Sequence, residues 1–296
     1  MKVIVTGASG FIGQHVCSSF LDAGHIVYAT TNKGTILYDH PNLTVHKIDL
    51  FCREQIEELF NVIRPECLVH CAWYAKHGEF WHSEENFNWV KATLEILEAF
   101  QKYGGHRAIF TGTCAEYDWR YGLCDEEITP LSPKSLYAIT KDATRRLVTA
   151  YCEFNNLECV WGRIFFPFGE GEDSRRLIPS IIDAAINYRS FDCNNPDGYR
   201  DFIAVEDLAS AICHLATNTE QTGIFNLSTG LPTRISEVVE YTYKMMGQKF
   251  VPEIKSTKSV EPKFIIGNSE KLKHTGWLPQ HSWKSAIDKV IQIKRS

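Results

Sequence analysis

Two short stretches carry the side chains best suited to proton transfer. In "SPKSLYAITKDATRRL" a proline precedes a helix-forming run, and Tyr137 and Lys141 stand four residues apart on one face of that helix. A free tyrosine, with a pKa of about 10, exchanges protons poorly at neutral pH, but a neighbouring ammonium stabilises its phenolate and makes it a usable acid and base. In "FTGTCAEYD" five side chains crowd the end of a strand-like run: Thr111, Thr113, Cys114, Glu116 and Asp118. A thiol beside a glutamate and two hydroxyls suits several mechanisms, and the stretch alone does not choose among them.

"VIVTGASGFIGQHVCSSFL" sets Gly7, Gly10 and Gly13, with Phe11 and Ile12 between the last two, at the junction of the first strand and the first helix. A dinucleotide pyrophosphate needs a tight turn, a close backbone approach and a free helix N-terminus, and glycines there supply all three. The spacing is GxxGxxG instead of the usual GxGxxG. With a nicotinamide dinucleotide bound, Tyr137 would exchange a proton while the cofactor exchanges a hydride. The second strand ends in "YATTNKG", where Thr31, Asn32 and Lys33 replace the carboxylate that normally holds the adenosine ribose. Nothing there repels a 2′-phosphate and Lys33 attracts one, so the expected cofactor is NADP, with NAD as the alternative. Asp49, after the third strand in "HKIDLF", is placed to accept from the adenine amino group.

These residues need a scaffold, and the first half of the chain describes one. The runs "KVIVT" (2–6), "HIVYAT" (25–30), "LTVHKI" (43–48), "CLVHCA" (67–72), "RAIFTGT" (107–113) and "LECVWGRI" (157–164) alternate with helix-period segments, the pattern of βαβ units and a parallel sheet. One helix is expected to be capped by Ser83, with Glu84 and Glu85 in its first turn and Phe87, Val90, Leu94 and Leu97 as its apolar stripe. The predicted fold is α/β: a Rossmann-like, doubly wound parallel sheet with a smaller C-terminal α/β substrate-binding part. Residues 1–165 form the dinucleotide-binding domain and 166–296 the substrate-binding part, with residues near 200–215 returning to the first.

Composition narrows the partners. At 296 residues, 44% hydrophobic and 23% charged, the chain can bury a full core. A formal net charge of -5, with no long run of Lys or Arg, argues against nucleic acid or an anionic membrane as partner. Ten cysteines include no CxxC pair and read as small buried hydrophobes in a reducing cytosol. His77 and His82 have no carboxylate or thiolate at ligand spacing, so no metal is expected. "MKVIVTG" begins without a charged leader and no apolar run reaches about 18 residues, which predicts a cytoplasmic protein.

The motifs together resemble the extended short-chain dehydrogenases/reductases, the family of nucleotide-sugar epimerases, dehydratases and reductases. They are "TGASGFIG" (6–13), "DL" (Asp49 and Leu50), "VHCA" (69–72), "TGTCAEY" (111–117), "YAITK" (137–141), "RDFIAVEDLA" (200–209), "FNLSTG" (225–230) and "GWLP" (276–279). The resemblance implies that Tyr137 is the general acid/base, that Lys141 orients the nicotinamide ribose and lowers the tyrosine pKa, and that Thr113 is the hydroxyl partner. It implies further that Ala72 lines the cofactor channel, that the Phe165 backbone contacts the carboxamide, and that Arg200 grips a nucleoside diphosphate, a task suited to a forked cation. It also implies a homodimer through helices running from about Ser83 to Tyr103 and Pro133 to Asn155.

Two departures and one loop shape the expected activity. Cys114 and Ala115 follow Thr113 where the family's 4,6-dehydratases carry an Asp-Glu pair, so water elimination is not expected. Phe166, in "FFPFGEG", replaces an asparagine that usually meets the substrate phosphate. After the fourth strand, "WYAKHGEFWHSEEN" offers Tyr74, His77, Trp81 and His82 to a sugar, Tyr74 best placed. The expected reaction is NADPH-dependent reduction of a 4-keto-6-deoxyhexose on a nucleoside diphosphate. The alternatives are a 4-epimerase with tightly held NAD and, in another class, a non-catalytic NADP-binding regulator. Thr111 reads as strand, Asp118 as a turn residue, and Glu116 as a structural hydrogen-bond partner.

Overall fold

The computed structural model describes residues 1–32, 34, 39–248 and 262–295. Its strands are β1 (Lys2–Thr6), β2 (Ile26–Thr31), β3 (Leu43–Lys47), β4 (Cys67–His70), β5 (Arg107–Thr113), β6 (Leu123–Cys124) and β7 (Glu158–Ile164). They continue with β8 (Phe166–Phe168), β9 (Tyr199–Arg200), β10 (Phe202–Ala204), β11 (Gly223–Leu227), β12 (Thr233–Arg234) and β13 (Phe264–Gly267). The helices are α1 (Phe11–Asp22), α2 (Arg53–Ile63), α3 (Glu85–Lys102), α4 (Leu136–Phe154) and α5 (Leu177–Ile186), then α6 (Val205–Thr217), α7 (Ile235–Met245), α8 (Glu270–His274) and α9 (Trp283–Arg295).

The β-branched runs form a seven-stranded sheet in the order β11-β7-β5-β4-β1-β2-β3, a Rossmann-like α/β fold. β1 pairs in parallel with both β2 and β4, and β4 with β5, so their carboxyl ends share one edge of the sheet. Strand order reverses beside β1, and the neighbouring carboxyl ends of β1 and β4 make the topological switch point at which such sheets bind ligands.

The chain divides into two compact units. Met1–Glu116, Pro133–Arg163 and Leu208–Phe225 form the first; Tyr117–Ser132, Ile164–Asp207 and Asn226–Ser296 form the second. In the first, Ile4, Leu68, Ala108 and Phe110 of the sheet pack with Ile56, Phe60, Ile96, Phe100 and Val148 of α2, α3 and α4. In the second, Phe168, Ile181 and Ile182 pack with Val238, Val239, Ile287 and Ile291. A buried carboxylate organises this second unit: Asp201 accepts from Thr229 N (2.9 Å), Thr229 Oγ1 (2.7 Å), Gly230 N (2.9 Å) and Gly267 N (3.1 Å).

Helix α3 departs from the expected stripe. Its N-cap is Glu84, and the Ser83 hydroxyl accepts from Glu85 N at 3.3 Å. Phe87 is 53% exposed, while Asn86, Thr93, Leu97 and Phe100 face inward. The Asn86 amide fixes that rotation, accepting from Trp73 Nε1 and donating to the carbonyls of Phe80 and Ser83, each at 2.8 Å.

Arg107, at the start of β5 and 1% exposed, holds the end of α6 against the sheet. Its guanidinium donates to the carbonyls of Leu215, Asn218 (2.7 Å) and Gln221 (2.7 Å), and to Glu158 at 2.8 Å. Leu215 O belongs to the last turn of α6, whose carbonyls lack an intrahelical partner, and Asn218 O and Gln221 O to the loop that follows. Replacing Arg107 by Met strands them, and urea unfolding is expected to show a loss of roughly 3 kcal/mol, as for a broken buried polar pair.

Candidate active site

The turn after β1 is shaped by what it must pass. Gly7 has φ +66°, and a Cβ there would stand 2.8 Å from both N and Cα of Ala72, so only glycine lets the turn lie against the end of β4. Gly10 N donates to Gly7 O at 2.9 Å, and Gly10 then caps α1 without a side-chain bond. The first turn of α1, with Phe11, Ile12 and buried Gly13, contains no acidic residue. A close-packed turn opening onto an unblocked helix N-terminus fits a dinucleotide pyrophosphate.

The flank of this cradle is also ordered. Ala8 N donates to Thr30 O at 3.1 Å, and the Ser9 and Thr31 hydroxyls meet at 3.0 Å. Thr31 Oγ1 donates to Gly34 O at 2.9 Å, which commits its proton; Asn32 is exposed. Lys33 lies outside the described residues. Asp49 turns the chain toward α2 by accepting from Phe51 N at 3.0 Å, beside buried Leu50.

Tyr137 and Lys141 enter on α4, whose N-cap Ser135 accepts from Ala138 N. Tyr137 N donates to Trp81 O at 3.1 Å, and its ring meets Phe80 (4.9 Å) and Trp81 (5.7 Å) edge-on. Lys141 is 3% exposed. Its Nζ donates to Thr111 O at 2.8 Å and lies 3.8 Å from the centre of the Trp73 ring, whose face attracts a cation. Burial pulls the Lys141 pKa from 10.5 down to about 7, against the opposing pull of Glu116 and Cys71. Under the same strand ends, His70 bridges Thr6 Oγ1 (2.8 Å) and Thr93 Oγ1 (3.0 Å); burial, then the Lys141 charge, push its pKa down to about 3, so it is a neutral spacer.

At the end of β5 the side chains of the opening stretch separate by task. Thr111 Oγ1 donates to His70 O at 3.0 Å, and Thr111 O receives Lys141. Thr113 is 9% exposed; its Oγ1 accepts from Ala115 N at 3.2 Å, leaving its own proton for another acceptor. Glu116 is fully buried, accepting from Thr113 N (3.0 Å), Trp161 Nε1 (3.0 Å) and Arg163 Nε (2.7 Å). Asp118 accepts from Arg120 N at 3.1 Å, as a turn residue does.

Loop 73–86 folds on itself around Asn86, and the Tyr74 hydroxyl donates to Glu79 at 2.9 Å. Sequence reading missed Trp73, whose ring holds Lys141; its place directly after the Ala72 strand end was the available signal. In the second unit, Phe165 N donates to Leu227 O at 3.3 Å. Arg200, 4% exposed, bonds Tyr199 O (2.9 Å) and Pro262 O (3.1 Å), with its guanidinium 5.6 Å from the centre of the Phe166 ring.

The chain belongs to the NAD dependent epimerase/dehydratase family, whose model matches residues 3–228. Among curated relatives it is similar to the UDP-glucose 4-epimerase of Corynebacterium glutamicum, 28% identical over 95% of this chain and 92% of that one. It is also 28% identical to the dTDP-6-deoxy-L-talose 4-dehydrogenase (NAD(+)) of Aggregatibacter actinomycetemcomitans, over 81% of this chain and 88% of that one. Among solved structures it resembles the Thermus thermophilus UDP-glucose 4-epimerase complex with NAD, with TM-score 0.87 and 24% identity, covering 100% of this chain and 99% of that one.

Lys141 carries a pH signature of its own. Because its pKa falls from 10.5 to about 7 on folding, the unfolded chain binds the proton more tightly between those values, and stability of the cofactor-free protein rises with pH across that window. The cost of burying the charge is complete below about 7 and gone above 10.5. In thermal melts, Lys141→Met minus parent is therefore expected to give its most favourable Tm difference at the acid end and to lose that advantage as pH rises. A difference independent of pH would contradict the buried charge.

Proposed function

We propose that this protein is an NAD-dependent epimerase that inverts a ring carbinol, C4 of a hexose, on a nucleoside diphosphate. The observation that carries the reading is the buried Lys141 ammonium on the helix that bears Tyr137, bonded to β5 two residues before Thr113. The glycine turn lies on the same sheet edge.

Bound NAD supplies reversible hydride exchange at the sugar carbon. Gly7, Gly10, Phe11, Ile12 and Gly13 hold its pyrophosphate, Thr31 and Asn32 its ribose, Asp49 and Leu50 its adenine, and Ala72 and the Phe165 backbone its nicotinamide end. Tyr137, as phenolate, accepts the proton of the sugar hydroxyl, and Lys141 stabilises that phenolate. Thr113 donates a hydrogen bond from its hydroxyl to the same sugar oxygen and keeps its proton. When the sugar presents its other face, Tyr137 returns the proton. Arg200, backed by the Phe166 ring, grips the diphosphate, and Tyr74 serves the sugar. Support for NAD over NADP comes from Thr31, whose proton is committed to Gly34 O instead of a 2′-phosphate.

This ordering reverses the two readings drawn from sequence, because the epimerase relatives span almost the whole chain. A second reading, oxidoreduction of a 6-deoxy sugar at C4, is supported by the equal identity to the talose dehydrogenase. We infer also that water elimination is not this protein's chemistry: Cys114 and Ala115 offer no acid/base pair, and the Glu116 carboxylate is fully engaged. A homodimer belongs to the same reading, since Ile139, Leu147 and Phe154 leave large apolar side chains exposed along one side of α4.

The test is turnover of UDP-glucose and UDP-galactose with no nucleotide added. Interconversion by the protein as purified is expected, with Tyr137→Phe slowing kcat roughly 100- to 10,000-fold. No interconversion of these sugars, with a nucleoside-diphosphate 4-keto-6-deoxyhexose reduced at stoichiometric NADPH consumption, would instead establish the reductase.

A further inference from the structure

Glu116 lies one residue before the second unit begins, in a site none of its neighbours in sequence explains. A carboxylate removed from water is costly unless every lone pair is met by a donor. Here the donors come from three directions: the backbone of Thr113, the Trp161 indole and the Arg163 guanidinium. Arg145 stands 3.9 Å away and is drawn off to Asp142 at 2.7 Å. Trp161 and Arg163 are two apart on β7 and so share a face. Gly112 makes the approach feasible, because a Cβ there would lie 2.1 Å from Trp161 Nε1 and 2.7 Å from Glu116 Oε1.

We propose that Glu116 is a positioning residue for the reaction: its carboxylate, seated on Trp161 and Arg163, fixes the backbone of Thr113 and thereby the aim of the Thr113 hydroxyl. The proposal rests on the assignment of Thr113 and Tyr137 to proton transfer. The bond from Thr113 N closes the short turn Cys114–Glu116 from inside, and that turn also brings Ala115 N onto Thr113 Oγ1 at 3.2 Å. With one lone pair so occupied, the hydroxyl proton is confined to the two remaining staggered positions. Glu116 also contributes the main electrostatic support for the Lys141 ammonium against its burial. One carboxylate thus serves both groups that flank the Tyr137 chemistry.

Glu116→Gln keeps the side-chain volume but sets an amide N–H where Oε2 accepts from Arg163, which removes the charge and unseats the group that holds Thr113 N. Corrected for folded fraction, kcat is expected to fall roughly 10- to 100-fold, as for small misplacements of reacting groups. KM for the nucleotide sugar should stay within about threefold, the pattern of an interaction used in the transition state. The alkaline limb of the kcat profile should move to lower pH, because Lys141 loses its proton sooner without the carboxylate. Should the amide fail to fold opposite Arg163, Glu116→Gln/Arg163→Met removes both charges and is expected to show the same kcat loss and pH shift. Unchanged kcat and pH profile in the folded variant, with only a lower Tm, would overturn the proposal and reduce Glu116 to a structural ion pair. If the parent protein itself turns over no nucleotide sugar, the underlying assignment fails and this proposal falls with it.

Discussion

A single ammonium placed out of water sets the terms for the rest of the first unit. Lys141 is 3% exposed, and burial alone would drive off its proton. It stays useful because three unrelated parts of the chain meet it: the Thr111 carbonyl at the end of β5, the face of Trp73 after β4, and the negative charge of Glu116. Each of these partners is itself held by a further bond. Thr111 is bonded to His70, Trp73 to Asn86, and Glu116 to Arg163 and Trp161. Helix α4 is therefore docked through its charge as well as its apolar face.

The same economy of contacts governs the cradle. Gly7 must pass within touching distance of Ala72 because β1 and β4 are adjacent and parallel at the switch point of the sheet. That adjacency puts the glycine turn, Ala72, Trp73 and the end of β5 on one edge. A nicotinamide ring brought to that edge would lie beside the groups proposed to exchange the sugar's hydroxyl proton, which is what the proposed epimerisation needs.

Much of this was legible in the sequence where the signal is short-range. The β-branched runs, the glycine turn and the Tyr137–Lys141 spacing each occupy a few consecutive positions, and β1, β5 and β7 fall where those runs predict. What was illegible depends on residues far apart in the chain. Glu116 meets Trp161 and Arg163 across 45 and 47 positions, and no local pattern announces such a pairing. Its one clue was an arginine inside the apolar run of β7, which calls for acceptors somewhere in the core. On α3 the expected stripe holds at Leu94 and Leu97 but fails at Phe87, because a periodic apolar stripe gives phase only on average, whereas the Asn86 amide fixes the first turn by hydrogen bonds.

The central claim is that hydride leaves and returns to the same sugar carbon within one active site, while Tyr137 moves the proton. Incubating the protein with UDP-glucose carrying deuterium at C4, without added nucleotide, tests it most directly. The account predicts UDP-galactose that retains the deuterium at C4, with no reduced nicotinamide released to the medium. UDP-galactose that has lost the deuterium from C4, or, in a parallel incubation with NAD or NADP supplied, deuterium appearing one for one in that nucleotide with a 4-keto sugar as product, would contradict it.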